Sequence, residues 1–391
     1  MQSGRSCILN AYIYGGNTYL DNYLSVGDGT FKQVGTQNIA TVSSFSAFGS
    51  MDANGDGLTD AFHAYNAAGI MTLELFLAQE SGVFNPIVSK HSGMPTSYTF
   101  LGSMDINGDG KDDVIQLWSN SGYISFVSYI SEGDGTFRTI TTGTSISLGS
   151  YLNTLPMDIN GDGRSDLLVV LSASSSIELI AFLSWGDGTF AAKVSAYPIT
   201  TTSVSFSKMD INSDDKEDLV QLIHLADGRT GLETYISNGD GTFSIHIDAQ
   251  SGPTSTYSYT YSGSAVRGEV SYGVIKKLKK DVPAVGIIEE WNTGNHYACY
   301  LSQGDGSYTY RNETHITVSS SGFLVSNLNG DGYSDLVKFF NMCSSKLYIY
   351  SYLALDVCSF STVITSTFTL TNPSFCGTST FNNRFITLES C

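Results

Sequence analysis

The sequence predicts an all-β fold: a seven-bladed β-propeller of four-stranded antiparallel blades, occupying residues 1–391 as a single domain. Three observations predict it. An acidic nine-residue loop recurs at a fixed period, a Gly-Asp-Gly-Thr-Phe turn recurs in phase with it, and short alternating runs lie between the two. The loop reads Asp-x-Asn-Gly-Asp-Gly-x-x-Asp at 52–60, 105–113 and 158–166, with variants at 210–218 and 327–335. The first four copies start 53, 53 and 52 residues apart, and a period of this size marks an array of like structural units.

The turn fixes the number of units. It is intact at Gly27–Phe31, Gly133–Phe137, Gly186–Phe190 and Gly239–Phe243, and weaker at Glu80–Phe84, Gly304–Tyr308 and Asp356–Phe360. That makes seven starts, 27, 80, 133, 186, 239, 304 and 356, hence seven blades. Asp-Gly between alternating runs such as Tyr23-Leu24-Ser25 and the residues after the turn is a strong hairpin signal.

Within one unit the elements follow in order. Phe45–Met51 predicts a first strand, followed by the acidic loop. Ala61–Tyr65 predicts the second strand and Met71–Ala78 the third, which ends at the turn; Phe84–Lys90 predicts the fourth. Four short antiparallel strands per unit match a propeller blade, and closing the ring removes sheet edges that would otherwise pair with other chains. The chain begins at a second strand, Ser6–Ala11, and ends on a leftover first strand, Arg384–Glu389. The first blade is therefore expected to be shared between about 6–40 and 384–391, with Cys7 near Cys391 as a candidate disulfide and Cys358 as a competing partner.

The sixth unit departs from the rule. Where its loop should start the chain reads Lys276-Lys277-Leu278-Lys279-Lys280-Asp281, with lysines in place of acids, and a Ser/Thr/Tyr-rich insert covers roughly 250–264.

The loop chemistry is that of a hard cation. Oxygen side chains fall at positions 1, 3, 5 and 9, a backbone carbonyl near position 7 adds a donor, and glycine allows the sharp turn. The candidate ligand sets are Asp52, Asn54, Asp56, Leu58 and Asp60; Asp105, Asn107, Asp109, Lys111 and Asp113; and Asp158, Asn160, Asp162, Arg164 and Asp166. The variants offer Asp210, Asn212, Asp214, Lys216 and Asp218, and Asn327, Asn329, Asp331, Tyr333 and Asp335. The residue at position 7 enters through its carbonyl alone. Ser213 and Asp215 replace glycines and should strain the fourth loop, and Asn327 leaves the last loop one carboxylate short. The expected cofactor is Ca2+, about four or five ions.

Composition supports this. The net charge is −18, and 14 acids stand at ligand positions, so the rest of the chain is close to balanced. Nucleic-acid binding needs a basic footprint, which is missing. No apolar run approaches the ~20 residues of a membrane helix. The six cysteines form no CxxC pattern. Calcium loops and cysteines together point to an oxidising setting, secreted or at the cell surface, and Asn312-Glu313-Thr314 is a glycosylation sequon.

The loop between two strands, followed by the Gly-Asp-Gly-Thr-Phe turn, resembles the FG-GAP/VCBS repeat family over nearly the whole chain. That family includes the propeller heads of integrin α chains, propeller modules of toxin subunits, and integrin-like propeller lectins. The resemblance implies a calcium-bearing seven-bladed propeller and leaves the ligand open, since this fold hosts many functions.

Function is read from what is present. HExxH, GxSxG and Walker patterns are missing, and His63, His91, His224, His246, His296 and His315 lack metal spacing, so the protein is expected not to be an enzyme. The leading expectation is a multivalent lectin for glycans or cell-surface glycoproteins, because a ring of similar sites turns weak binding into avidity. The alternative is a protein-binding adhesion head or scaffold that takes other protein subunits. Thirteen residues beyond each loop start stand Tyr65, Trp118, Leu171, Ile223 and Phe340, with Trp291 near the equivalent place in the sixth unit. Aromatics suit ligand stacking, so Tyr65, Trp118, Trp291 and Phe340 are the candidate binding residues; packing between blades is the other reading of that position. Trp185, beside a turn, is equally open to both.

Overall fold

A computed structural model describes residues 6–14, 17–40, 47–79, 81–173, 175–198, 206–225, 230–249, 272–275, 286–291, 296–315, 324–326, 328–329, 331, 335–342, 346–355, 360–369 and 384–390. Among these the chain is all-β. The strands are β1 (Ser6–Tyr14), β2 (Asn17–Ser25), β3 (Phe31–Ala40), β4 (Ala47–Met51), β5 (Asp60–Ala67), β6 (Ile70–Ala78) and β7 (Phe84–His91). They continue with β8 (Phe100–Met104), β9 (Asp113–Asn120), β10 (Tyr123–Ser131), β11 (Phe137–Ser147), β12 (Ser150–Met157), β13 (Asp166–Ser172), β14 (Ser176–Ser184) and β15 (Phe190–Pro198). Next come β16 (Ser207–Met209), β17 (Asp218–His224), β18 (Thr230–Ser237), β19 (Phe243–Ala249), β20 (Tyr272–Ile275), β21 (Gly286–Trp291), β22 (His296–Ser302) and β23 (Tyr308–His315). The last are β24 (Leu324–Ser326), β25 (Asp335–Met342), β26 (Lys346–Tyr352), β27 (Ile364–Thr369) and β28 (Arg384–Ser390).

These strands form four-stranded antiparallel sheets. Sheet 1 has the order β28-β1-β2-β3, and sheets 2 to 7 each take four consecutive strands, from β4–β7 through to β24–β27. In sheet 2 the strands lie within about two residues of their sequence-based bounds at each end. In sheet 1, β28 runs antiparallel to β1 with Cys7 opposite Glu389 and Ala11 opposite Phe385. Cys391, the 250–264 insert and the 276–284 lysine segment lie outside the described residues.

Sheets 2 to 4 bury both faces of their inner strands over most of their length. The second and third strands read as near-continuous apolar runs such as Leu167–Leu171, because neighbours cover them on either side. Successive sheets pack face to face through separate clusters. Phe62, Leu73 and Leu75 of sheet 2 meet Val114, Val127 and Tyr129 of sheet 3. Ile115, Leu117 and Phe126 of sheet 3 meet Leu167, Val169 and Phe182 of sheet 4, with Phe126 edge-on to Phe182 at 4.7 Å. Ile8 and Tyr23 of sheet 1 pack with Val337, Leu347 and Ile349 of sheet 7, and Leu9, Ala11 and Leu20 of sheet 1 pack with Ala61, Phe76 and Phe84 of sheet 2. Among the described residues, each acidic loop and each turn lies at the same end of its sheet, since the loop joins first strand to second and the turn joins third to fourth.

Candidate functional site

The acidic loops are built from their own backbone. In the loop at 52–60 the Asp52 carboxylate accepts N–H bonds from Gly55 (2.8 Å), Asp56 (3.2 Å) and Gly57 (2.9 Å). Asp105 does the same with Gly108, Asp109 and Gly110, and Asp158 with Gly161, Asp162 and Gly163. The position-3 amide accepts the position-5 N–H at 3.0 Å in the first three loops and the last, and at 3.2 Å in the fourth. Gly55 and Gly57 need their lack of a Cβ here, with φ of 74° and 80°. The fourth loop reaches the same shape with Ser213 at φ 62° and Asp215 at φ 65°, so the strain expected from its sequence is present.

Position 9 plays a different part from positions 1, 3 and 5. Asp60, Asp113, Asp166, Asp218 and Asp335 are all fully buried. One oxygen of Asp113 accepts the Ile106 N–H at 2.9 Å and the other the Ser131 N–H at 2.8 Å, so the carboxylate ties its own loop to the end of the third strand. Asp60, Asp166, Asp218 and Asp335 repeat this pair with Ala53 and Ala78, Ile159 and Ser184, Ile211 and Ser237, and Leu328 and Ala354. Burial pushes Asp60, Asp113 and Asp166 up to about 7, and Asp218 and Asp335 up to about 6, against the pull of those N–H bonds.

Position 7 brings side chains as well as carbonyls. Lys111 pairs with Asp109, Arg164 with Asp162 and Lys216 with Asp214. Partial burial raises the Asp109 carboxyl, but the Lys111 hydrogen bond and charge outweigh it and hold it below the usual range. Leu58 supplies no such cation to the first loop. Asn327 and Tyr333 lie outside the described residues, while Asn329 and Asp331 of the last loop are bonded to each other at 2.8 Å.

The donors at positions 1, 3 and 5 are all oxygens, which suits Ca2+ in kind. Among the described residues, however, no group of three His, Cys, Asp or Glu side chains converges as a metal-holding cluster. The carboxylates are turned onto backbone N–H groups instead. The fit to calcium is thus one of donor type and spacing.

The aromatic candidates lie far from the loops. Tyr65 is five residues along β5 from Asp60, which at strand geometry is about 17 Å. Tyr65 is partly buried and stacks on His63 with ring centroids 4.8 Å apart; burial and the Glu74 charge raise its pKa. His63 is itself buried, with Nδ1 3.8 Å from Glu74 Oε2. Trp118 packs, partly buried, against the core shared by sheets 2 and 3. Leu171 and Ile223 are buried. Trp291 ends β21 opposite His296, and Phe340 sits opposite Tyr348 in the β25–β26 ladder. The structure therefore places these residues at corresponding heights on separate sheets. Tyr123, 49% exposed just beyond a Ser-Gly turn and near Trp118 in sequence and ladder, was missed by the sequence reading. Its signal is the Ser121-Gly122 hairpin turn in front of it. Trp185 is at the loop end and 65% exposed.

The FG-GAP-like repeat family matches residues 105–169 and 158–221, the stretch where loop and turn are most regular. Residues 105–221 carry FG-GAP-like repeats, and the chain as a whole has the four-stranded antiparallel sheets of a β-propeller. As a fold, the propeller is similar to the periplasmic gluconolactonase PpgL of Pseudomonas aeruginosa, with a TM-score of 0.50 and 12% identity over 93% of this chain and 96% of that one. Weaker likeness extends to AztD of Citrobacter koseri (TM-score 0.45, 9% identity, 98% of each chain) and to a variant of AofleA from Arthrobotrys oligospora (0.43, 10%, 88% and 89%). At these identities the likeness concerns the fold alone. No curated protein matches the propeller in sequence.

Proposed function

We propose that the protein is a non-enzymatic recognition propeller working outside the cell, a multivalent lectin for glycans or cell-surface glycoproteins whose loops take Ca2+. The observation that carries this reading is the contrast between repeats: the loop end is conserved from unit to unit, while the opposite end changes residue by residue. Tyr65 and Trp118 offer partly exposed rings where Leu171 and Ile223 are buried. A ligand face can vary in this way without damage to the scaffold. Calcium would be held by positions 1, 3 and 5 of each loop, and what it supplies is charge neutralisation. The seven sheets are taken as blades of one ring closed by β28 on β1. Supporting this, the first strands of successive sheets lie side by side, with β28 beside both β24 and β4.

A glycan array with the full chain, in calcium and in chelator, tests the reading. Binding of a glycan class that is lost in Trp118→Ala supports it; an empty array counts against it. The second reading, a protein-binding head, is favoured by the outer strands. Val88, Val194, Ile245 and Ile247 lie 36–49% exposed along β7, β15 and β19. Pull-down from cell-surface extract, positive where the array is empty, would select it.

A further inference from the structure

We infer that each Gly-Asp-Gly turn and the acidic loop of the sheet before it form one composite joint, and that two of the joints between sheets lack it and are where the molecule opens first. The third strand ends in a serine two residues before the turn in five sheets: Ser25, Ser131, Ser184, Ser237 and Ser302. Each hydroxyl donates to the position-2 carbonyl of the preceding sheet's loop. Ser131 Oγ donates to Ala53 O, Ser184 Oγ to Ile106 O and Ser237 Oγ to Ile159 O, all at 2.6 Å, and Ser302 Oγ to Ile211 O at 3.2 Å. Ser25 Oγ donates to Leu328 O at 2.6 Å, which carries the same clasp from sheet 1 to sheet 7. The same oxygen accepts the N–H of the turn's first glycine, at 3.0–3.2 Å, in all five.

The two remaining sheets are the informative ones. Sheet 2 has Ala78 and Glu80 at the serine and glycine positions, and sheet 7 has Ala354 and Asp356. These are the sheets that follow the two sheets without an acidic loop. Sheet 1 is built across the chain ends, and sheet 6 has the lysine segment in place of its loop. The serine and the turn glycine are kept together or lost together in every sheet. The alanines still give their N–H to their own position-9 aspartate, at 2.7 Å for both Ala78 and Ala354. So the backbone bond at this point is retained and the serine hydroxyl has gone.

The joint between sheets 1 and 2 is covered by a shorter side chain than the next two. Val34 covers Gly82 there, where the longer Ile87 and Ile140 cover Gly135 and Gly188 at the next two joints. A groove of about 190 Å³ lies alongside, lined by Leu20, Asn22, Val34, Gln37, Gly82 and Phe84. The rim contact is kept: Gln37 accepts the Phe84 N–H at 3.1 Å and donates to its carbonyl at 2.7 Å, as Ser366, Tyr197 and Asp248 accept the N–H of Phe31, Phe243 and Tyr308 at clasped joints. The clasped sheets thus fall into two arcs, sheets 2 to 6 and sheets 7 to 1. The contacts are direct, so the inference stands whether or not a glycan or calcium binds.

Hydrogen exchange with mass spectrometry on the full chain tests it. In the unmodified protein, amides of 79–84 should exchange faster than those of 132–137, 185–190 and 238–243. Ser131→Ala removes one buried hydrogen bond, about fivefold in local opening. It should speed exchange in its own turn and in the loop at 52–60 of the sheet before, and leave 158–166 unchanged. Ala78→Ser should slow nothing in 79–84, where Glu80 stands at the position of the turn glycine. If Ser131→Ala does not fold, Ser184→Ala read on 105–113 gives the same test. An unaffected preceding loop in either variant, or an Ala78→Ser that protects 79–84, overturns the composite joint.

Discussion

The two ends of the sheets follow different rules. At the loop end the geometry repeats almost unchanged: the Gly57, Gly110 and Gly163 N–H groups lie 2.9 Å from Asp52, Asp105 and Asp158. At the other end, thirteen residues beyond each loop start, the side chain is Tyr65, Trp118, Leu171 or Ile223, partly exposed or buried by turns. The difference has a physical origin. The loop end must satisfy a cluster of backbone N–H groups away from strand ladders, and one arrangement of carboxylates does so in each unit that carries the loop. The other end is joined by hairpins that satisfy their own backbone, so its side chains are free to differ.

The sharpest way to break this contrast is to remove the strand that pairs with β1. Deleting Arg384–Cys391 should expose β1 as an unpaired edge and give aggregation or loss of the cooperative melt. A deletion chain that stays monomeric with an unchanged melting temperature would show that β28 is dispensable.

The next largest effect should come from a position-9 carboxylate. Asp113→Ala strands the Ile106 and Ser131 N–H groups, each costing about 1–3 kcal/mol when buried without a partner, so a loss of about 3 kcal/mol is expected in urea unfolding. Trp118→Ala, which trims a partly buried ring, should cost less. Equal losses would erase the distinction between the two ends.

Calcium should act at the loop end alone. Each filled site adds about 2.7 kcal/mol at a hundredfold excess over Kd, so the melting temperature should fall in EDTA. Thermal scans with and without chelator check this, and identical scans would remove calcium from the account.

In chelator a pH dependence should emerge. Burial raises the position-9 carboxyls to about 6–7 in the folded chain, above their unfolded value. The folded state then holds more protons than the unfolded one between about pH 4 and 7. Stability should therefore decline as pH rises through that window, and stay level above it. Urea midpoints at pH 5 and pH 7.5 measure it; a higher midpoint at pH 7.5 would contradict the burial of these groups.

The smallest effect on stability should accompany the largest on recognition. Tyr65→Ala and Trp118→Ala should weaken ligand binding at least tenfold while leaving the calcium-dependent melt nearly intact. Normal binding by both variants would move the ligand site elsewhere.

Much of this molecule was legible in its sequence. The strands of the second unit, the turn positions and the strained fourth loop were all visible, because each rests on local chemistry: alternation, glycine φ and short-range Asx bonding. The role of position 9 was less so. The pattern marks Asp113 as an oxygen donor but cannot say whether it faces outward or inward. That depends on the Ser131 N–H, 18 residues away. The aromatic candidates share this limit, since Trp118 owes its partial burial to sheet 2 packed against it.

The sequence by itself determined the period, the number of turn and loop copies, and the all-β class, since each follows from which residues can adopt a tight turn or a half-buried strand. Only the tertiary structure decided how the copies are joined. The clasp from Ser131 to Ala53 spans 78 residues, and so do those from Ser184 to Ile106 and from Ser237 to Ile159. A bond of that span forms only when two sheets are stacked, so its serine reads as an ordinary strand residue until the neighbouring loop is in place.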